Sequence, residues 1–327
     1  MSSMTNRRAL LAALALGASP FPSARAQSAY PDRPITLIVG YPPGGSTDAA
    51  GRAAAEGLSR QLKVPVLVEN IGGAGGVVGL RKAMAARPDG YTLFVGANNE
   101  LSIAPLVSAA ARYDVATDMT PLRYLSSQPI VLVTTRAAGV ASFSEFVSKV
   151  RANPGRFSYG SSGVGTALHL VGETIKERAR LFMTHIPYRG VAPLQSDLLG
   201  GSIEYAMFVQ SSILPQIEAG KVVPLAVSEG QRSPQLPQVP SLAEFPGFQG
   251  VSMGSWFMLL GPKNLPADIR GRLEEASLAM LRDPAFRKRL EDGGSRVANG
   301  TENVASLLAQ EAAVNRRAVD YAKVRTD

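Results

Sequence analysis

The stretch VGYPPGGSTDAAGR, residues 39–52, decides the predicted fold because it joins two periodic segments of different kinds. Residues 34–40, PITLIVG, form a short apolar run rich in β-branched side chains, which is typical of a buried strand. Apolar residues then recur at every fourth position from 50 to 62, which places them on one face of a helix. The stretch therefore predicts a strand, a loop containing proline and glycine, and a helix in direct succession.

The same order of strand, loop and helix recurs along the chain. VPVLVEN (64–70) and DGYTLFVGANN (89–99) predict further strands, and RFSYGSSGVGTALHLVGE (156–173) predicts another strand, glycine loop and helix. Strands that alternate with helices indicate mainly parallel α/β sheets, which bind ligands at the carboxyl ends of their strands. We therefore predict the α/β class with two α/β units. The candidate ligand loops are 41–48, 72–76, 97–99 and 160–166.

The composition excludes several classes of site. Of the 327 residues, 45% are apolar and 18% are charged, as in a globular chain with room for two domains. The chain has no cysteine and two histidines, His169 and His185, which excludes disulfides, thiolate catalysis and a histidine-rich metal site. The P-loop pattern is absent, and Val78 stands where a dinucleotide-binding loop needs its third glycine. We expect neither a metal nor a cofactor.

Residues 1–26 have the pattern of an export signal. Two arginines at 7–8 precede an apolar run of ten residues, 9–18, and the segment ends in an A-x-A cleavage pattern at 24–26. A membrane-spanning helix needs ~20 apolar residues, so this run is too short to be one. We expect cleavage near Ala26 and a soluble, exported chain. The choice between general and twin-arginine export stays open.

The charge balance argues against nucleic acid as a partner. The formal net charge of +8 falls to +5 when the three arginines of the signal are removed, leaving 31 basic and 26 acidic residues. No basic run contains the interleaved aromatic residues expected of a nucleic-acid surface. A mild positive charge suits an anionic ligand instead.

The loop after the first strand has the chemistry of a carboxylate site. A helix start leaves backbone N–H groups unpaired, and the peptide dipoles add about half a positive charge there. Gly44 and Gly45 allow close approach of the backbone to a ligand, and Ser46 and Thr47 add hydroxyl donors. We predict that neutral donors bind a carboxylate and that Asp48 fixes the loop from behind. Each dipole contact contributes up to ~2 kcal/mol, whereas micromolar binding needs about 8 kcal/mol, so several loops must converge.

A catalytic alternative depends on the second glycine loop. Ser161 or Ser162 precedes His169 by a few residues, so a serine–histidine pair is conceivable. The sequence GSSGV lacks the second glycine of a nucleophile elbow, and no third group that would orient the histidine is evident. An exported serine hydrolase using Ser162 and His169 therefore remains the alternative to a binding protein.

Several motifs together resemble the Bug/TctC family, the solute-binding receptors of tripartite tricarboxylate transporters. The motifs follow the family's order and include YPDRPITLIVGYPPGGSTDAAGR, VENIGGAGGVVG, PDGYTLFVG, SYGSSGVGTALHLVGE and HIPYRGVAPLQSDLLGG. The resemblance covers roughly residues 28–300. It implies a monomeric periplasmic receptor with two lobes that close like a flytrap on a small carboxylate. It also implies a partner permease with one large and one small membrane subunit.

The resemblance assigns ligand-binding residues to both lobes. In the family, the first strand–helix loop takes a ligand carboxylate, partly through ordered waters. The matching and neighbouring first-lobe residues here are Tyr41, Pro43, Gly44, Gly45, Ser46, Thr47, Asp48, Ala97 and Asn98. The matching second-lobe residues are Ser161, Ser162, Gly163, Gly165, Thr166, His169, Tyr188, Arg189 and Gly190.

One departure from the family pattern bears on ligand choice. Phe208 is placed where many members have an aspartate that borders the ligand pocket. An aromatic ring in place of that charge would favour a ligand with an apolar or aromatic body beside its carboxylate. We include Phe208 among the expected ligand-binding residues on this basis.

The resemblance also suggests how the chain divides. We expect lobe 1 to comprise residues 28–126 and 254–327, and lobe 2 to comprise residues 127–253. The crossings between the lobes are predicted within 118–130 and 248–257. A soluble ligand reader for a signalling system, with the same pocket and no permease, is a further alternative.

Overall fold

The computed structural model describes residues 30–109, 111–322 and 324. The predicted export signal, residues 1–26, lies outside these described residues. Within them, no helix is both long enough and apolar enough to cross a membrane.

The strands and helices alternate as the sequence predicts. The strands are β1 Ile35–Val39, β2 Val66–Asn70, β3 Thr92–Ala97, β4 Met119–Thr134, β5 Ser158–Ser161, β6 Thr184–Pro187, β7 Tyr205–Val209, β8 Val223–Val227, β9 Gly254–Pro262 and β10 Arg296–Val297. The α-helices are α1 Ser46–Leu62, α2 Val77–Met84, α3 Ala104–Val107, α4 Val115–Asp118, α5 Phe143–Ala152, α6 Ala167–Arg178, α7 Val191–Gly200, α8 Gln210–Glu218, α9 Ala267–Arg282, α10 Pro284–Glu291 and α11 Val304–Ala322. Short helical turns cover Ala74–Gly76, Asn99–Ile103, Arg136–Ala138 and Leu242–Glu244.

The strands form two halves of one curled sheet, and the two halves share an order. In the first half the order is β2-β1-β3-β9-β4, with β1 parallel to β2 and β3. In the second half the order is β6-β5-β7-β4-β8, with β5 parallel to β6 and β7. Each half therefore has three parallel strands beside an antiparallel one, which is β9 in the first and β4 in the second. The predicted α/β class with a mainly parallel core in each lobe is confirmed.

Strand β4 connects the two halves. Its residues 119–129 pair with β9, and its residues 130–134 pair with β7 and residues 131–134 with β8. The change of partner falls between Pro129 and Ile130, close to the first predicted crossing. The lobe limits given above stay a prediction, and the pairing of β4 supports placing the first crossing here.

The first strand and helix form for the reasons that the sequence indicates. Strand β1 is almost wholly buried, because β2 and β3 flank it and helices cover the sheet. On α1 the apolar residues spaced by four, from 50 to 62, all face the core. The N-cap residue is Gly45, which makes no side-chain cap, and Asp48 lies in the first turn.

The C-terminal helix, which is predicted to belong to lobe 1, contacts both lobes. One buried apolar cluster contains Val319 of α11 together with Leu168 and Val171 of α6, a second-lobe helix. Ile103 and Val107, which follow β3 of the first lobe, belong to the same cluster. Residues of both lobes therefore cover the apolar face of helix α11.

Candidate functional site

A cavity of about 1230 Å³ lies between the two lobes at the carboxyl ends of their parallel strands. Its first-lobe wall is formed by residues 41–43, 70, 72–78, 81, 99, 104, 107, 108 and 111. Its second-lobe wall is formed by residues 162–166 and 187–190. Loops that follow β1, β2 and β3 thus face loops that follow β5 and β6, as expected for a ligand cleft in an open α/β sheet.

The first-lobe loop is held from behind by the Asp48 carboxylate. One oxygen accepts the Gly44 N–H at 3.0 Å and the Arg52 Nε–H at 2.9 Å, and the other accepts the Asn70 amide at 2.8 Å. Asn70 also donates to the Tyr41 carbonyl at 2.9 Å. Burial alone would raise the pKa of Asp48, but the hydrogen bonds from Arg52, Gly44 and Asn70 outweigh it and lower the pKa. The carboxylate is therefore ionised and sets the shape of the loop.

A second acidic residue, Glu100, lies under the same wall and is fully buried. One of its oxygens accepts the Ala97 N–H at 2.7 Å, and the other lies 2.7 Å from the Tyr41 hydroxyl. That hydroxyl also contacts the Gly75 carbonyl at 2.6 Å and the Asn99 amide nitrogen at 3.0 Å. Burial raises the pKa of Glu100 to about 7.

The second-lobe loop is shaped by glycines and a helix cap. Gly163 and Gly165 have φ of +138° and +73°, so the chain turns in conformations that other residues rarely adopt. Thr166 caps α6, because its hydroxyl accepts the His169 N–H at 3.4 Å and donates to the Gly163 carbonyl at 2.9 Å. Ser161 closes the turn by accepting the Gly163 N–H at 3.2 Å.

The two histidines of the chain stack directly behind this loop. The rings of His169 and His185 lie 3.8 Å apart between centroids at 11° between planes. His169 accepts the Gly165 N–H at Nδ1, at 3.1 Å, and His185 Nε2 lies 2.7 Å from the Ser161 hydroxyl. Burial lowers the pKa of His169 to about 4 and that of His185 to about 3, and each pKa is lowered further by the charge of Lys176. Both rings are therefore neutral supports of the loop above pH 6.5.

The facing loops contact each other across the cleft. The Asn99 side-chain oxygen accepts the N–H of Ala167, the first residue of α6, at 2.8 Å. A Cβ placed on Gly45 would lie 3.7 Å from the Val191 side chain, and one on Gly190 would lie 3.8 Å from the Pro42 ring. The two lobes are thus close enough for one small molecule to contact both.

The charge of the cleft wall is positive. Arg81 of the first lobe and Arg189 of the second are exposed and line the cavity, and none of the lining residues is acidic. Apolar side chains of the first lobe, at 77, 78, 104, 107 and 111, share the wall with these arginines. The wall therefore suits an anion that carries an apolar portion.

Most of the chain matches a known family of receptors. The family model described as "Tripartite tricarboxylate transporter family receptor", TctC, matches residues 50–321. The chain belongs to the TctC family. This confirms the resemblance that the motifs indicate, and TctC proteins are substrate-binding receptors of the periplasm rather than enzymes.

Several known proteins are similar to this TctC receptor in sequence, and two of them have solved structures with a similar fold. The protein BugT of Bordetella pertussis is 34% identical over 235 residues, which are 72% of each chain. A structure of a Rhodopseudomonas palustris protein with adipate is 29% identical, covers 90% of this chain and 99% of that chain, and has a TM-score of 0.86. The structure of MatC of the same species with bound malate is 27% identical, covers 89% of this chain and 100% of that chain, and has a TM-score of 0.81. The predicted two-lobed binding-protein architecture is confirmed by these structures.

The predicted site residues of the TctC receptor fall into two groups. Those on the cavity wall are Tyr41, Pro43, Ser162, Gly163, Gly165, Thr166, Tyr188, Arg189 and Gly190. Those behind the wall or beside it are Gly44, Gly45, Ser46, Thr47, Asp48, Ala97, Asn98, Ser161 and His169. Asp48 and His169, in the second group, make hydrogen bonds to the loops, which indicates that they support the loops.

The predicted pocket position of Phe208 is wrong. Its side chain is fully buried and packs in an apolar cluster with Val131, Leu194 and Ile213. All five residues of β7 are buried, because β5 and β4 flank this strand and helices cover both faces. Phe208 consequently points into the core, and the apolar part of the cleft comes from other residues.

The predicted pairing of Ser162 with His169 is also not formed. His169 Nδ1 accepts the Gly165 N–H instead. Among the described residues, the histidine that contacts a serine hydroxyl is His185, and the serine is Ser161. Ser161 is fully buried and does not line the cavity. A nucleophile must reach its substrate, so the serine–histidine contact of this chain is a support of the loop.

Sequence reasoning missed the part of the cleft wall formed by residues 77, 78, 81, 104, 107, 108 and 111, which were not assigned to the site. It also missed the buried Glu100, which directly follows the predicted ligand loop 97–99. The signal that could have found Glu100 is the polar triplet NNE at 98–100, immediately after the apolar strand β3. Three polar residues at the carboxyl end of a buried strand point to a functional edge.

Proposed function

We propose that this TctC receptor is an exported periplasmic protein that closes its two lobes on a small carboxylate and delivers it to a tripartite transporter permease. The permease would have one large and one small membrane subunit, and the receptor would act as a monomer after cleavage near Ala26. The observation that carries the proposal is the cleft itself. Glycine loops from both lobes and two arginines line it, and none of the described residues that line it is acidic.

The geometry favours a ligand with two acidic ends and an apolar middle. Backbone N–H groups at the uncapped start of α1 suit one carboxylate, and Arg81 or Arg189 suits a second. The apolar residues on the same wall suit methylene groups. The related structures contain adipate and malate, of which adipate has the longer apolar portion.

Calorimetric titration of the mature receptor with adipate, malate, aspartate and benzoate tests the proposal. We expect adipate to bind with a Kd in the micromolar range, about 8 kcal/mol, and more tightly than malate or aspartate. The Arg81→Gln variant should bind adipate about tenfold more weakly. The control Arg87→Gln, a change at an exposed arginine outside the cleft, should bind like the parent protein.

Two outcomes would count against the proposal. One is the absence of heat for all four acids, combined with a cationic or neutral molecule retained by receptor purified from the periplasm. The other is a chemically altered ligand after incubation, read by mass spectrometry, which would favour an enzyme. Co-purification of the receptor with a two-subunit permease tests the delivery step.

A further inference from the structure

The buried carboxyl of Glu100 forms part of a network that joins both lobes. Tyr41 lies at its centre, with Glu100 on one side and the Gly75 carbonyl on another. Asn99 donates to the same hydroxyl at 3.0 Å and accepts the N–H of Ala167 in the second lobe at 2.8 Å. The contact with Ala167 fixes the orientation of the Asn99 amide, since only its oxygen can accept that N–H.

The number of protons in this network decides the charge of Glu100. A tyrosine hydroxyl donates one hydrogen bond and can accept others. Its oxygen lies 2.6 Å from the Gly75 carbonyl and 2.7 Å from Glu100 Oε2. The carbonyl can only accept, so the hydroxyl proton serves that contact and the other short contact needs a proton from Glu100. An ionised Glu100 would leave one of two oxygen–oxygen contacts without a proton.

We propose that Glu100 is a neutral carboxylic acid in the closed receptor, that its proton holds the ligand loops in position, and that carboxylate binding therefore weakens when Glu100 ionises. Glu100 acts through Tyr41, Asn99 and the glycine loop, so it is a positioning residue. The coupling to ligand rests on the proposed function, whereas the protonation of Glu100 does not.

The surroundings of Glu100 favour its neutral form. Among the described residues, the titratable neighbours of Glu100 are Tyr41, whose hydroxyl faces the carboxyl, and Tyr113, whose hydroxyl donates to the main-chain carbonyl oxygen of Glu100 at 2.6 Å. The pKa of each tyrosine is raised by burial and by Glu100, so both are neutral. The charge of Arg81 lies close enough to Tyr113 to lower the pKa of that tyrosine, which burial and Glu100 nevertheless raise. Burial raises the pKa of Glu100 to about 7, and the hydrogen bond from the Ala97 N–H opposes that rise.

The glycine loop is packed closely enough to respond to that proton. A Cβ placed on Gly76 would lie 2.6 Å from Glu100 Oε2 and 3.0 Å from the Tyr41 hydroxyl. Residues 72–76 line the cleft on their other side. Ionisation of Glu100 would place a negative charge under the wall that we propose binds an anion. It would also draw the hydroxyl proton of Tyr41 to the carboxylate and so release the Gly75 carbonyl.

The Glu100→Gln variant separates charge from shape. A glutamine can accept the Ala97 N–H with its oxygen and donate to Tyr41 with its amide nitrogen, and it does not titrate. Adipate titrations between pH 5.5 and 8.5 should show parent affinity falling by up to about tenfold per pH unit above 7, and a flat profile for Glu100→Gln. The control Glu275→Gln, at an exposed glutamate paired with Arg272, should follow the parent protein. Equal pH profiles for the parent and Glu100→Gln would overturn the coupling.

Infrared difference spectra of the ligand-free protein test the proton directly. The parent-minus-Glu100→Gln spectrum at pH 6 should contain the C=O stretching band of a protonated carboxyl, and the band should disappear above pH 8. Its absence at pH 6 would overturn the inference even if adipate binds and the proposed function stands. Its presence in a receptor that binds no carboxylate would confirm the protonation but overturn the coupling together with the proposed function.

Discussion

The two loops that face each other across the cleft have the same order of strand, glycines and helix, yet they are supported by different chemistry. Two carboxyl groups support the first, the ionised Asp48 and the buried Glu100. Two stacked histidines, a serine and a threonine support the second. The starts of the two helices also differ, because α1 has no side-chain cap whereas Thr166 caps α6. The N–H groups at the start of α1 therefore lack the side-chain acceptor that Thr166 provides at the start of α6.

The buried Glu100 of the first loop and the two histidines of the second respond to pH in opposite directions. The pKa of Glu100 is raised to about 7, so its stabilising neutral form is complete below its ordinary value of 4.5 and is lost as the pH rises through 7. The pKa values of His169 and His185 are lowered to about 4 and 3, so their contribution is complete above 6.5 and is lost as the pH falls through those values. Under the proposed function a ligand contacts both loops, so we expect the pH range of its binding to be limited on both sides.

The largest expected effect is the loss of the histidine support in acid. Each histidine lowers the free energy of unfolding by up to about 1.4 kcal/mol for every pH unit below 6.5. After allowance for the partial exposure of His185, the free energy of unfolding of the unmutated protein should fall by on the order of 3 kcal/mol between pH 6.5 and 4.5. The double variant His169→Asn and His185→Gln should lose clearly less, because these amides preserve the contacts to Gly165 and Ser161 without titrating. Urea unfolding at several pH values measures the difference.

The histidine prediction has a matched control in the other lobe. The Glu100→Gln variant should retain the acid limb of the parent and lose only the decline above pH 4.5. If the double histidine variant kept the acid limb of the parent, the assignment of opposite responses to the two loops would be wrong.

The second effect concerns the ionised support of the first loop. Asp48→Ala removes the acceptor of the Gly44 N–H, the Asn70 amide and the Arg52 guanidinium. We expect a loss of about 2 kcal/mol in the free energy of unfolding, since two partly buried hydrogen bonds to the carboxylate are lost, and Arg52 adds little because it is half exposed. Adipate affinity should fall by more than tenfold, as the loop loses its shape. Denaturant unfolding at pH 7 and calorimetry measure the two quantities.

Asp48→Asn provides the comparison for that change. It keeps one acceptor oxygen but loses the charge, so its stability should lie between those of the parent and Asp48→Ala. Parent-like stability and binding in Asp48→Ala would show that Gly44 and Gly45 keep the loop in shape without the carboxylate.

The general architecture could be predicted from the sequence because it depends on local periodicity. The junction at 39–52 correctly indicated β1, the loop and α1, and the position of Asp48 in the first turn correctly indicated a support behind the loop. The stacking of His169 on His185 could not be predicted in this way. It depends on the parallel pairing of β5 with β6, which sets Tyr159 beside His185.

The errors have a common physical origin in burial by distant elements. Phe208 was placed at the pocket from its position in a motif, but β4 and the flanking helices enclose β7 on both faces. Glu100 was passed over because an acid after a strand usually lies in a solvated turn. Only the tertiary fold brings Tyr41 and Gly75 over it. Residue patterns along one segment do not carry this information.

The smallest expected effect concerns the cap that distinguishes the second loop. Thr166→Val keeps the shape of the side chain but removes the hydroxyl that accepts the His169 N–H and donates to the Gly163 carbonyl. It should cost about 1 kcal/mol of stability and weaken adipate binding, whereas Thr166→Ser should restore both. Ser142→Ala removes a comparable cap from α5, where Ser142 accepts the Glu145 N–H at 3.2 Å away from the cleft. It should therefore cause a similar loss of stability, measured by urea unfolding, with unchanged binding. If the two cap variants weakened adipate binding equally, the effect of Thr166 would reflect overall stability, and the cap would have no specific part in shaping the second loop.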